Sequence, residues 1–124
     1  MDESTFEQLV IEALDALPEE FRRQLENVEV LIERRPTPEH RRAAGLKPWQ
    51  SRSLYGLYQG VPLTERGGGY TLVPPDTITL FSEPLMRDFR SPEALREQVR
   101  RTVLHELAHY FGIDDDRLHE LGAY

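Results

Sequence analysis

Cysteine is absent from the chain. That excludes disulfides and thiolate zinc sites, so any bound metal has to be held by imidazole and carboxylate groups. Long apolar runs are absent too, since no stretch approaches the roughly 20 residues that span a bilayer. The acidic, amphipathic opening MDESTFEQLV has neither the basic start nor the apolar centre of a secretory signal. The expected location is cytoplasmic, with no membrane partner. Positive charge is scarce: 15 Lys and Arg stand against 22 Asp and Glu, for a net charge of -7. Nucleic-acid binding rests largely on neutralising phosphates with Lys and Arg, so this balance counts against a nucleic-acid partner. Internal repeats and low-complexity tails are also missing.

What is present is 124 residues, 39% hydrophobic and 30% charged. That is the size and polarity of one globular domain with a modest core, expected to cover residues 1–124. The charge is unevenly spread. Residues 1–33 are acidic, whereas RRPTPEHRRAAGLKPWQSR, from Arg34 to Arg52, is basic around Trp49. A basic run with one aromatic could touch RNA, but a solvated loop balancing the acidic face is the preferred reading, with Trp49 in ordinary packing.

The pattern along the chain predicts an α+β fold. STFE has the form of a capping box with Ser4 as N-cap, and Phe6, Leu9, Val10, Ala13, Leu14 and Leu17 follow at helical spacing. A second short helix is expected with Pro18 in its first position and Phe21 and Leu25 facing the core. VEVLIE predicts a strand over Val28–Glu33, SLYGLYQG a second, and TITLF a third over Thr77–Phe81. Between the first two lies a long connection, punctuated by Pro36, Pro38, Gly45 and Pro48, with room for one helical turn. The glycines of TERGGGYTLVPPD read as a flexible turn, because no G-K-[ST] follows them to make a phosphate loop. Ser91 as N-cap and Pro92 at the first position open the longest helix, which runs along an apolar stripe of Leu95, Val99, Val103, Leu107 and Phe111 to a stop at Gly112.

That helix carries the chemistry. The chain ends VLHELAHYFGIDDDRLHELGAY. His105 and His109, four residues apart, project from one helix face within reach of a common metal ion. Glu106 completes H-E-x-x-H, a pattern that sets a carboxylate beside a metal-activated water without making it a ligand, where it can act as general base. A catalytic zinc takes three protein ligands and keeps one open position. Candidates for the third are Asp114, Asp115, Asp116 and His119. Asp115 is preferred, because it lies six residues beyond His109, where H-E-x-x-H-x-x-G-x-x-H proteins place their third histidine. The tyrosines Tyr55, Tyr58, Tyr70 and Tyr110 are read as core residues with satisfied hydroxyls, not as oxyanion donors.

HELAHYFGIDDD resembles the H-E-x-x-H-x-x-G-x-x-D variant of the zincin metallopeptidases. With ALPEEF and LYGLYQGVPL in the same order, the chain resembles a bacterial family of minimal zincin-like metallopeptidases over most of its length. The resemblance implies a minimal zincin-like domain: two N-terminal helices, a small mixed sheet of about three strands, a long active-site helix and a short C-terminal turn or helix. It further implies one zinc ion on His105, His109 and Asp115, with Glu106 as general base. By the same likeness, an edge strand binds the peptide by backbone pairing, and Leu54–Leu63 is the candidate. The chain departs from the larger metzincins, because Met1 and Met86 both precede the motif and leave no methionine turn beneath the metal. The function so read is zinc-dependent peptide-bond hydrolysis by a monomer acting on peptide or protein substrates. A catalytically silent metal-binding protein on the same fold is the alternative, and a metal-dependent RNA hydrolase ranks behind it.

Overall fold

Three short strands form a mixed sheet whose central strand is the most buried of them. The computed structural model describes residues 2–60, 75–112 and 115–120, without the side chains of Asp115 and Leu118. Strands β1 (Val28–Glu33), β2 (Gly56–Gln59) and β3 (Asp76–Phe81) lie in the order β1-β3-β2. β1 pairs with β3 in parallel, from Val28 opposite Asp76 to Glu33 opposite Phe81. β2 pairs antiparallel, from Gly56 opposite Leu80 to Gln59 opposite Thr77. A central strand is covered on both faces, and Ile78, Leu80 and Phe81 of β3 are completely buried. Among the described residues β2 is left at the edge. Pro62 and the glycine-rich turn, which bear on where β2 ends, lie outside the described residues.

Six helices accompany the sheet among the described residues: α1 (Glu3–Asp15), α2 (Glu19–Gln24), α3 (Pro38–Ala43), α4 (Ser82–Asp88), α5 (Pro92–Phe111) and α6 (Asp115–Glu120). Helix α1 starts earlier than STFE suggests. Asp2, not Ser4, is the N-cap, its carboxylate accepting from the Thr5 amide at 2.8 Å. Both residue types cap well, and Asp2 wins by adding two helical residues, with Glu3 at the positive end of the dipole. Pro18 is likewise one position earlier than expected. It is the N-cap of α2, and its carbonyl accepts from the amides of Phe21 and Arg22. Helix α4 has no counterpart among the expected elements. The connection between β1 and β2 is braced by α3, whose Arg41 donates to the carbonyls of Gln50 and Arg52 at 2.7 and 2.9 Å. Trp49, expected to pack, is 80% exposed.

The core sits between α1, the sheet and α5. Phe6, Leu9, Val10 and Ala13 of α1 meet Leu95, Val99, Val103, Leu104 and Leu107 of α5. Each large apolar side chain so buried contributes about 1.5–3 kcal/mol. Helix α5 opens and closes as its sequence predicts. Ser91 accepts from the Ala94 amide at 3.1 Å, and Gly112 ends the helix in the left-handed region at φ 70°. The apolar stripe is shorter than expected, because Phe111 is 44% exposed. A repeat of four residues overshoots the helical turn by about 40° each time, so the stripe rotates out of the core by its last member. No described helix is long and apolar enough to cross a membrane.

Candidate active site

Helix α5 and strand β2 run side by side in a fixed register. A Cβ built on Gly56 would come 2.6 Å from Thr102 Cγ2, and one on Gly60 would come 2.7 Å from Tyr110 Cε2. Midway between them, the Tyr58 amide donates to Glu106 Oε1 at 2.8 Å. Alternate strand residues therefore meet every fourth helix residue, since two residues of strand advance about 6.6 Å and four of helix about 6 Å. The two glycines let the backbone of β2 approach the helix closely. Tyr55 O accepts from the Phe81 amide at 2.9 Å, so Tyr55 and Leu57 turn their polar groups toward β3 while Gly56 and Tyr58 turn theirs outward. Glu106 has taken one of those outward groups.

The Glu106 carboxylate is held in place by this single backbone donor. Burial pushes its pKa above the ordinary carboxylate range, while the Tyr58 N–H and the nearby His109 and His105 act in the opposite sense. Oε2 makes no hydrogen bond among the described residues and is not sealed from solvent. One oxygen is thus anchored and the other is left to the groove.

His105 and His109 line the same groove as Glu106, together with Gln98, Thr102 and Tyr110 from α5 and the stretch Arg52–Tyr58. Its volume is about 760 Å³, within the usual range for a ligand-binding cleft. His105 is half-buried and His109 exposed. Two imidazoles one turn apart on one helix face, with no thiolate in the chain, are a donor set suited to zinc. Among the described residues no group of three His, Asp or Glu converges to hold a metal. The preferred third ligand, Asp115, begins α6, and its side chain, like all of Asp114, lies outside the described residues. Asp116 and His119 are exposed on α6. The described donors fit zinc as far as they go, which is two of three. Helix α6, which Asp115 begins, meets α2 through an ion pair between Arg117 and Glu20.

The hydroxyls of Tyr55 and Tyr58 are committed elsewhere, as expected, whereas Tyr110, expected in the core, is 47% exposed. Tyr58 donates to Asp76 Oδ2 and Tyr55 to Asp88 Oδ2, each at 2.6 Å. Tyr58 also stacks on Tyr110, with ring centroids 4.1 Å apart, and Tyr70 lies outside the described residues. Sequence reasoning missed the Tyr58 amide, which is a backbone group and carries no residue signal. It also missed the groove wall of Ala43, Ala44 and Leu46, which is brought in from a distant loop. Gly56 and Gly60 within a strand pattern were the available hint, because such glycines mark close backbone approach.

A search of curated proteins finds no match to the chain. A family model described as zincin-like metallopeptidase matches residues 25–123, a span that takes in the sheet, the groove and the H-E-x-x-H helix together. The chain belongs to the zincin-like metallopeptidase family.

Proposed function

We propose that the protein is a zinc-dependent peptide-bond hydrolase in which His105, His109 and Asp115 hold one zinc ion and Glu106 is the general base. The observation that carries this reading is the placement of Glu106, with one oxygen anchored by the Tyr58 amide and the other open to the groove beside two imidazoles. When bound, zinc supplies Lewis acidity, which acidifies a water and polarises the scissile carbonyl. Glu106 Oε2 takes the proton of the attacking water and returns it to the leaving amine. The Tyr58 N–H keeps the carboxylate from rotating away between these transfers. The outward C=O of Tyr58 and the outward N–H and C=O of Gly56 offer an extended peptide backbone its hydrogen bonds, as in strand addition to a sheet edge. The substrate is a peptide or protein segment, and the working unit is a monomer in the cytoplasm.

The test begins with metal content. Elemental mass spectrometry on protein purified without an affinity tag is expected to find about one zinc per chain, lost or weakened in His105→Ala and Asp115→Ala. A peptide-library screen then compares the wild type with Glu106→Gln. Zinc retained and hydrolysis lost in that variant supports the reading. A zinc-loaded wild type that cleaves no peptide overturns it and leaves a metal-binding protein without catalysis.

A further inference from the structure

The groove continues well past the histidines, and its far end is chemically unlike the near one. Among the described lining residues Glu106 is the one carboxylate and Arg52 the one permanent cation. The register of β2 along α5 places them in order. Tyr58 lies level with Glu106 and Gly56 with Thr102, so Leu54 falls level with Gln98, and both line the groove. Arg52 lies two residues further on. Six residues of extended chain separate it from Tyr58, at most about 20 Å at about 3.3 Å per residue.

The backbone at Arg52 is pinned, because its carbonyl accepts from Arg41 at 2.9 Å. Its side chain is exposed and has no hydrogen-bond or ion-pair partner among the described residues, although acidic residues outnumber basic ones 22 to 15 in the chain. Arg35 and Arg41, from the same basic stretch, are each engaged with protein groups. Between the two ends the walls carry no charge: small or aliphatic residues such as Ala43, Leu46 and Leu54 face the neutral polar Gln98 and Thr102 of α5. A strand added antiparallel to the outward edge of β2 would run toward Arg52 with its C-terminal end.

We propose that this groove selects extended peptides that carry a carboxylate several residues to the C-terminal side of the scissile bond, held by Arg52, with uncharged side chains between. The proposal rests on the peptidase reading above and names its substrate class. A guanidinium pairs with a carboxylate through two parallel N–H donors, so the preference is for a carboxylate over any neutral group. Two sources share that chemistry, an acidic side chain and the C-terminus of the peptide itself.

The experiment is a positional scan. Quenched fluorescent peptides of one neutral background carry a single Glu, or the matched Gln or Lys, at each of the positions after the cleavage site. Amidated peptides are set beside free acids of graded length. KM and kcat are read for the zinc-loaded wild type, Arg52→Gln and Arg52→Glu. The expected result is one distal position at which Glu, or the free terminus, lowers KM about five-fold with little change in kcat. That ratio falls to unity in Arg52→Gln and reverses in favour of Lys in Arg52→Glu. The amidated series assigns the effect to a side chain, and the free-acid series to the terminus. Absence of charge preference at every position, or a preference that survives in Arg52→Gln, overturns the proposal. Fluorescence anisotropy of the same peptides on zinc-loaded Glu106→Gln reads the preference without hydrolysis, so failure of the charge reading is distinguishable from failure of the peptidase reading.

Discussion

The two faces of helix α5 divide the work of the molecule between them. On one, Leu95, Val99, Val103 and Leu107 are completely buried against α1 and the sheet. On the other, Gln98, Thr102, His105, Glu106, His109 and Tyr110 line a groove, and each carries a polar group. The residues alternate in sequence yet face different media, because a helix turns by about 100° per residue. The core face holds α5 rigid, and that rigidity lets a single backbone donor on β2 fix Glu106. Stability and chemistry can therefore be perturbed separately within three neighbouring residues.

Glu106→Gln and Leu107→Ala test that separation most severely. Removing the proposed general base is expected to lower peptide hydrolysis by about 10²–10⁴-fold, while the Gln side-chain oxygen still accepts from Tyr58 and the melting temperature stays close to that of the wild type. Leu107→Ala leaves a cavity in the core and is expected to cost about 2–5 kcal/mol of unfolding free energy, with zinc stoichiometry retained below the transition. Denaturant titration and steady-state kinetics on both variants check the pair. If Leu107→Ala abolished zinc binding in the folded protein, or Glu106→Gln unfolded it, the two faces would not be separable.

How much of this division is legible in sequence depends on the range of the contacts. The H-E-x-x-H face, the Ser91 cap and the Gly112 stop are local patterns on one helix, and the structure places them as read. Where two local signals compete within three residues, as with Asp2 and Ser4, the cap slips. The four-residue stripe was extended one step too far at Phe111, because its rotation accumulates slowly. The groove was not legible at all. Its walls come from residues 43–58 and 98–110, and its central contact is a backbone amide that any residue but proline at position 58 would supply. The third ligand, read as Asp115 from spacing, stays a matter for the metal-content test.

Gly56→Ala attacks the seam between the faces. The new methyl would lie 2.6 Å from Thr102 Cγ2 and 3.3 Å from Leu80 Cδ2, so β2 and α5 must part. Overpacking of this kind costs about 1–3 kcal/mol. Because the Tyr58 donor moves with β2, hydrolysis is expected to fall along with stability, which neither variant above produces. Thr102→Ser removes the offending Cγ2 and keeps the hydroxyl that accepts from Gln98 Nε2. The double variant should recover most of both losses, a positive coupling that a double-mutant cycle measures. Loss of stability without loss of activity would show that the register of β2 along α5 does not position Glu106.

The smallest effect is expected at the far end of β2, where charged contacts are added to the packing of Tyr55 on Phe89. Arg87 donates to Asp88 at 2.9 Å and to Ser53 at 2.8 Å, and Tyr55 donates to Asp88 at 2.6 Å. These contacts, Arg87 first, hold the Asp88 carboxyl at about 2, below its usual 3.8. A depressed carboxylate stabilises the fold fully above its unfolded pKa, and that stabilisation disappears as pH falls from near 3.8 toward about 2. Asp88→Asn should therefore melt slightly below the wild type at pH 6, with a gap that narrows through that window and closes at its lower end. The gap should also shrink in salt, because the pair faces solvent. Thermal melts at a series of pH values decide it. A gap independent of pH would mean that Asp88 acts through the shape of its Tyr55 contact and not through its charge.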